Sequence, residues 1–270
     1  ACGVRIWSFV DQHGPVRAFG GADEPAALVP DGWAEADRRD PTPLRCPEPQ
    51  AEAAMIAEVD AAIEAGDSVG GSFVVVAVGM PIGIGSNSEW DTRIDAAVAE
   101  ALMGIQATMG VEIGIGFGAV GRRGSEVHDE VEPSAPAWER KTNRAGGTEG
   151  GMTNGAAIVA RVGVKPVATL RKPLDSVDLA SGEVRRAHIE RSDVAIIPRA
   201  AVVGEAMLAI ALADALLADM GGDTMGDVKA AVRRRRGRSE GPRGVEAGGT
   251  LESLPDNAAT EATVVEGTDA

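Results

Sequence analysis

Ser72-Phe73-Val74-Val75-Val76-Ala77-Val78 is an uncharged, β-branched run closed by Gly79-Met80-Pro81. Its length and branching read as a strand that is largely buried. The stretches on either side set the class of fold. Upstream, from Gln50, the apolar residues Met55, Ile56, Val59, Ala62 and Ile63 recur at helical spacing, and Gly66 follows as a stop. Downstream, after Trp90-Asp91, a second stripe of Ile94, Val98, Ala101, Leu102 and Ile105 predicts another helix, ending at Gly110. Further strands are expected at Val4–Val10, at 111–118 and from Ile158 onward. Strands and amphipathic helices therefore share one chain, which reads as an α/β protein.

Three later stretches carry more than packing. In Val111-Glu112-Ile113-Gly114-Ile115-Gly116-Phe117-Gly118, alternation puts three glycines on one face, open either to tight packing or to close approach of a backbone or ligand. The strand after Gly155 places Val159, Arg161, Gly163 and Lys165 on one side, so two cations flank a glycine: an anion seat or a solvated edge. Between them, Arg122–Gly155 is long and polar and ends in the glycine-rich run from Asn143. Such loops are functional or disordered. The loop lacks the Gly-Lys-Ser/Thr ending of a phosphate loop and the strand-to-helix setting of a dinucleotide fingerprint. The stretch Gly14–Pro49 reads as an extended loop, and Val202–Ala218 as a helix apolar almost all round, hence buried, with Gly221-Gly222 as its stop. Arg233–Arg236 reads as a solvated helix end beside the acidic tail, with contact to an anion as the alternative. Residues 1–238 are expected to form one domain, and 239–270, acidic and rich in Gly, Ala and Thr, a disordered tail.

Composition narrows the function. The 270 residues carry 26 Lys and Arg against 41 Asp and Glu, a formal charge of −15, which argues against a nucleic-acid binder because phosphate neutralisation needs a basic surface. Hydrophobic residues at 44% and charged residues at 25% are globular values. Gly, at 35 residues, is roughly double the usual ~7%. Cys2 and Cys46 fit neither a disulfide framework nor a metal site, so no metal is expected and a reducing cytoplasm is the default. The apolar stretch Val202–Leu217, interrupted by Glu205 and Asp214, is shorter than the ~20 residues of a membrane span, so no membrane segment is expected. The chain opens without Met, with no signal-peptide pattern, directly on a strand; this reads as a chain whose beginning is missing. His13 and His188 show no partner pattern and are expected at the surface.

Several blocks, in order from Ala54 to Asp223, resemble the chorismate synthase family. They are Gly66-Asp67-Ser68-Val69-Gly70-Gly71, Gly83-Ile84-Gly85-Ser86 with Trp90-Asp91, Ala101–Ala107, Gly110–Gly114, Gly124–Glu130 and the Thr142–Gly155 loop. Lys165-Pro166 with Thr169, Arg191-Ser192-Asp193 and Pro198-Arg199-Ala200 complete the set. The resemblance implies an α/β (α+β) fold, a β-α-β sandwich with mixed or antiparallel sheets and central helices, here partial. It implies a lyase of the shikimate pathway, in aromatic amino acid biosynthesis, that eliminates phosphate from 5-enolpyruvylshikimate 3-phosphate to give chorismate. The cofactor implied is reduced FMN, with NADPH to reduce it in some members, in a cytoplasmic homotetramer.

Carried over residue by residue, the FMN-contacting positions are Gln106, Ala107, Gly150, the run Lys165, Pro166, Val167, Ala168 and Thr169, and Arg191. Asp193 matches the catalytic Asp that helps manage the proton at flavin N5, Arg199 is a second cation, and His128 has a structural polar role. Four departures stand out. Ile115 replaces an Asp, Thr148 an apolar residue, the stretch Pro133–Lys141 is unusual, and the family's N-terminal half, with the Gly-Glu-Ser-His-Gly block, a catalytic His and the substrate-gripping Arg residues, is absent. The resemblance therefore implies about half of an active site, with little activity alone and a tendency to associate. The other reading is a non-catalytic remnant that binds an anion or assembles with a partner.

Overall fold

The computed structural model describes residues 2–21, 42–132 and 140–239. The acidic tail from 240 onward, most of the 14–49 loop and residues 133–139 lie outside it. In chain order the elements are β1 (Arg5–His13), β2 (Val16–Arg17), α1 (Pro49–Ala65), β3 (Gly71–Val78), α2 (Ile94–Met103), β4 (Thr108–Ile113), α3 (Gly124–Val127), β5 (Thr148–Glu149), β6 (Met152–Thr153), β7 (Ile158–Val164), β8 (Asp175–Val177), β9 (Val184–Arg186), α4 (Ile197–Met220) and α5 (Met225–Ser239).

Five strands form one antiparallel sheet in the order β2-β1-β3-β7-β4. The central strand is β3, the run from which the fold was read. Its alternate side chains split the core: Phe73, Val75 and Ala77 join Val10, Ala160 and Val162 under the helices, while Val74 and Val76 join Trp7, Phe9 and Val159 on the outer face. Gly204 lets α4 press onto β3, because a Cβ there would lie 2.5 Å from the Phe73 ring. The predicted α1 is present and ends at Gly66 in the left-handed conformation, φ 70°.

Four expectations are corrected. First, α2 ends at Met103 and not at Gly110, so β4 begins at Thr108. The glycines read as one strand face instead make a turn: Gly114 and Gly116 have φ of +61° and +48°, which a strand does not use. Second, α4 is buried on one side only. Ala201, Leu208, Leu212 and Leu216 face the sheet, whereas Val202, Val203, Ile210 and Leu217 are exposed. At 24 residues it is also long and apolar enough to cross a membrane by length and composition, which the shorter stretch read from the sequence was not. Third, His13 is fully buried at the end of β1, because a bulge after Val10 turns its side chain inward. Fourth, the Arg run is not simply solvated: Arg235 donates to the Gly83 carbonyl at 2.9 Å, and Arg236 to the Cys2 carbonyl at 2.8 Å. These contacts tie α5 to the loop after β3 and to the segment before β1.

Antiparallel pairing gives the sheet two distinct ends. Gly71 pairs with Val164 at one, and Ala77 with Ile158 at the other, about 20 Å away at ~3.4 Å per residue.

Candidate functional site at the sheet ends

At the end where β7 finishes, three connections converge. The Lys165 amide donates to the Ala107 carbonyl at 3.0 Å, the Ser68 hydroxyl to the Val167 carbonyl at 2.7 Å, and the Val69 amide to the Val194 carbonyl at 2.9 Å. This places Gln106, Ala107, the run Lys165–Thr169 and the Arg191–Asp193 segment around one end of the sheet. Ala107 sits at φ +68°, one of three non-glycine residues with positive φ among those described. A strained backbone of this kind is characteristic of ligand-facing positions. Lys165 and Arg191 are exposed, and among the described residues neither has a carboxylate partner. In a protein of charge −15, two free cations at one end make a local positive field. Asp193 is ion-paired with Arg199.

The anion seat read around Arg161 is not free. Its Nε lies 2.9 Å from the buried Asp11 carboxylate and its guanidinium 3.6 Å from Glu112, while Ser72 donates to Asp11 at 2.7 Å. Alternation put Arg161 on the right face, but the acids that neutralise it come from β1 and β4, remote in sequence. Arg161 therefore holds strands together, and the free cation of the pair is Lys165.

Gly150 lies at the opposite end. The β5–β6 hairpin that carries it is tied to the N-terminus of α2, where the Ile94 amide donates to the Gly151 carbonyl at 2.9 Å. Gln106 follows the other terminus of this 10-residue helix, about 15 Å long at 1.5 Å per residue. The loop before the hairpin is held by Asp129, which accepts from the Thr142 hydroxyl, the Arg144 amide at 2.8 Å and the Ala145 amide at 2.9 Å. Half-burial acts to raise the Asp129 pKa, but these donors hold the carboxyl below its ordinary range. Asn143 closes the turn, its side-chain oxygen accepting from the Gly147 amide at 2.8 Å. Of the two departures, Ile115 is buried and its amide donates to the Arg144 carbonyl, and Thr148 is buried beneath the same turn. His128 is exposed. Sequence reading missed the part played by Asp129, whose only local signal was its place in the Gly124–Glu130 block.

Two cavities border these ends. A groove of about 780 Å³ runs along α2 against α4 and is lined by Asp91, Glu100, Asp214 and Asp219 with no basic residue, which disfavours a phosphate-bearing ligand. A crevice of about 880 Å³ on the outer sheet face has a floor of Gly70, Gly71, Gly110 and Gly163 and reaches Pro166 and Arg17. It is the cavity that meets the Lys165 end. Cys46 contributes no thiolate chemistry, because burial pushes its thiol up to about 11.

The antiparallel sheet, the helices stacked on one face and the glycine-rich hairpin at one end define a layered α+β protein. A family profile described as chorismate synthase matches residues 1–217. The protein is 48% identical over 223 residues to the chorismate synthase of Acidothermus cellulolyticus, covering 83% of this chain and 55% of that one. It is 51% identical over 192 residues to that of Desulforamulus reducens, covering 71% and 50%. A solved structure described as a crystal structure of chorismate synthase superposes with a TM-score of 0.69 at 36% identity, covering 88% of this chain and 64% of that one. The chain belongs to the chorismate synthase family. It spans about half the length of the curated relatives it matches.

Proposed function

We propose that residues 1–238 carry the C-terminal part of a chorismate synthase, a cytoplasmic lyase that eliminates phosphate from 5-enolpyruvylshikimate 3-phosphate to give chorismate in aromatic amino acid biosynthesis. The observation that supports this reading most is the Lys165 end: hydrogen bonds tie Lys165 to Ala107, Val167 to Ser68 and Val194 to Val69, and the two unpaired cations are Lys165 itself and Arg191, three residues before Val194. Reduced FMN, when bound, supplies electron density to the eliminating substrate without net redox change, and NADPH is the reductant that would bring oxidised FMN to that state. The residues present fit that group, since an anionic flavin needs fixed positive charge and close backbone approach.

Lys165 and Arg191 bind and orient the flavin phosphate. Gln106, Ala107 and the run Pro166–Thr169 shape the backbone against which it lies. Asp193 would be the group that takes up or returns the proton at flavin N5, and Arg199, its ion-pair partner, would orient that carboxylate. Asp193 and Arg199 are both exposed here, so the water-poor cavity that such chemistry requires needs a cover. Flavin fluorescence titration checks the reading. Lys165→Ala and Arg191→Ala should each weaken FMN binding about 10-fold or more, the scale of a lost charge-assisted bond, and unchanged affinity in both would overturn it.

A second reading has its own observation, the exposed apolar face of α4 with Val202, Val203, Ile210 and Leu217. Contiguous apolar surface of this kind marks an interface. On this reading the chain is a non-catalytic remnant, or acts with a partner that supplies the remainder of the relatives' length, within a homotetramer such as the family forms. Alone it releases little or no phosphate. Turnover of around 1–10 per second by the purified chain with reduced FMN under anaerobic conditions would overturn this second reading, and a monodisperse monomer in light scattering would count against its interface.

A further inference from the structure

We propose that Asp129 is the positioning residue of the glycine-rich loop, the group that sets where the Gly150 hairpin stands. Its carboxylate lies outside the loop in sequence, yet it gathers three donors from consecutive stretches of it: the Thr142 hydroxyl and the amides of Arg144 and Ala145. Two oxygens serve three donors, so the loop's entry is fixed in position and direction. Neighbouring contacts build on that fixed point. The Arg144 carbonyl accepts from the Ile115 amide at 2.9 Å, and the Gly146 carbonyl accepts from the Val159 amide at 3.2 Å, which docks the loop on the start of β7.

The space for this docking is minimal. A Cβ at Gly114 would lie 2.0 Å from the Arg144 carbonyl oxygen, and one at Gly146 would lie 2.3 Å from the Gly114 amide nitrogen. Two backbones at such distance admit one arrangement, and Asp129 selects it from the side. Beyond the turn, Arg140 reaches across to Glu149 at 2.5 Å and to the Asn154 carbonyl at 3.2 Å, so the hairpin inherits the orientation of its entry. Asp129 touches no ligand on this account; it acts through the loop.

The ligand consequence rests on the reading of Gly150 as a flavin-contacting position, and the test separates the two claims. Asp129→Asn keeps the side chain's size but turns an amide nitrogen toward a backbone donor, whereas Asp129→Glu retains both acceptor oxygens. Hydrogen exchange of peptides spanning 142–155, together with FMN titration, should show exchange about 10-fold faster in the Asn variant, FMN affinity about 10-fold weaker, and a substantial recovery of both in the Glu variant. Thr142→Val, which removes one donor and leaves the carboxylate, should speed exchange by a smaller factor, and it serves as the test if the Asn variant fails to fold.

Wild-type exchange rates in the Asn variant, or equal losses in Asn and Glu, would overturn the positioning role. Fast exchange with unchanged FMN affinity would overturn the link from Asp129 to the ligand. Gly150→Val tests the underlying reading by itself: unchanged FMN affinity with loop exchange at the wild-type rate would remove Gly150 from the flavin site and leave the Asp129 geometry standing.

Discussion

The two ends of the central sheet carry residues of the same expected site and are built in opposite ways. At the hairpin end, Asp129, Asn143, Thr153 and Arg140 each bond across the chain, and glycines interlock at backbone contact distance. At the Lys165 end, backbone bonds bring the connections together, but Lys165, Pro166, Arg191 and Asp193 are exposed and β8–β9 stands in solvent. One end is organised by this chain's own side chains. The other presents unpaired charge and strained backbone, the condition of a surface that awaits a ligand or a cover.

The strongest way to break this contrast is at the turn. Gly114→Ala forces a Cβ to within 2.0 Å of the Arg144 carbonyl oxygen at a φ of +61°. Overpacking by ~1–3 kcal/mol and ~1–2 kcal/mol for the left-handed conformation together predict a loss of about 2–5 kcal/mol. A denaturant midpoint shifted by less than a quarter of this would show that the loop is not held as described.

Acid should separate the ends in a fixed order. His13 is fully buried beneath the Lys165 end, and neither ring nitrogen has a hydrogen-bond partner among the described residues. Burial pushes its pKa from 6.5 down to about 4. Between those values the unfolded chain binds a proton that the fold refuses, so stability is fully present above 6.5 and falls as pH drops to about 4. The loss is about 3 kcal/mol by linkage. Asp129 has the same sense in a more acid window: its lowered pKa gives stability that is fully present above the ordinary carboxylate range and is lost as pH falls through and below it. Proteolysis at pH 4.5 should therefore cut around 165–193 while the 142–155 loop stays protected. His13→Leu should flatten the pH dependence of the melting temperature between 6.5 and 4; an unchanged slope would show that another group carries it.

Most of the layers were legible in the sequence because they rest on local periodicity. The buried run of β3, the stripe of α1 with its Gly66 stop and the alternation of β7 each need only neighbours in sequence. What was misread depends on partners far along the chain. Arg161 reads as a free cation until Asp11 and Glu112 arrive from other strands, His13 as a surface residue until a bulge turns it inward, and the Arg run as solvated until Arg235 finds the Gly83 carbonyl. The glycines after Ile113 show a further limit, since a glycine face and a glycine turn have the same composition and only φ tells them apart. The expected site positions rest on resemblance alone, and resemblance did not show that they fall at two ends of the sheet.

A smaller effect sharpens the account of the open end. Ala107→Gly relieves a left-handed alanine, worth ~1–2 kcal/mol, and returns ~0.4–1 kcal/mol to the unfolded chain through glycine's freedom, for a net stabilisation of about 0.5–1 kcal/mol. Destabilisation on denaturant titration would mean that the alanine methyl packs in a way that outweighs its strain.

The smallest expected effect concerns β8–β9. Asp175 pairs with Arg186 and Val177 with Val184, and the contacts that close the hairpin, Arg186 to the Pro173 carbonyl and the Ala187 amide to the Leu174 carbonyl, are all local. Leu179 at its tip is 97% exposed, so its removal uncovers no core. Replacing 174–187 with a short Gly-Ser link should change stability by no more than about 0.5 kcal/mol, as for surface changes away from buried groups. FMN affinity should also hold within about threefold, under ~0.7 kcal/mol, because Lys165, Arg191 and Asp193 all lie outside the replaced stretch. A tenfold loss of affinity at unchanged stability would show that the hairpin itself reaches the ligand. The open end would then be one arm of an enclosing site and not the bare platform described above.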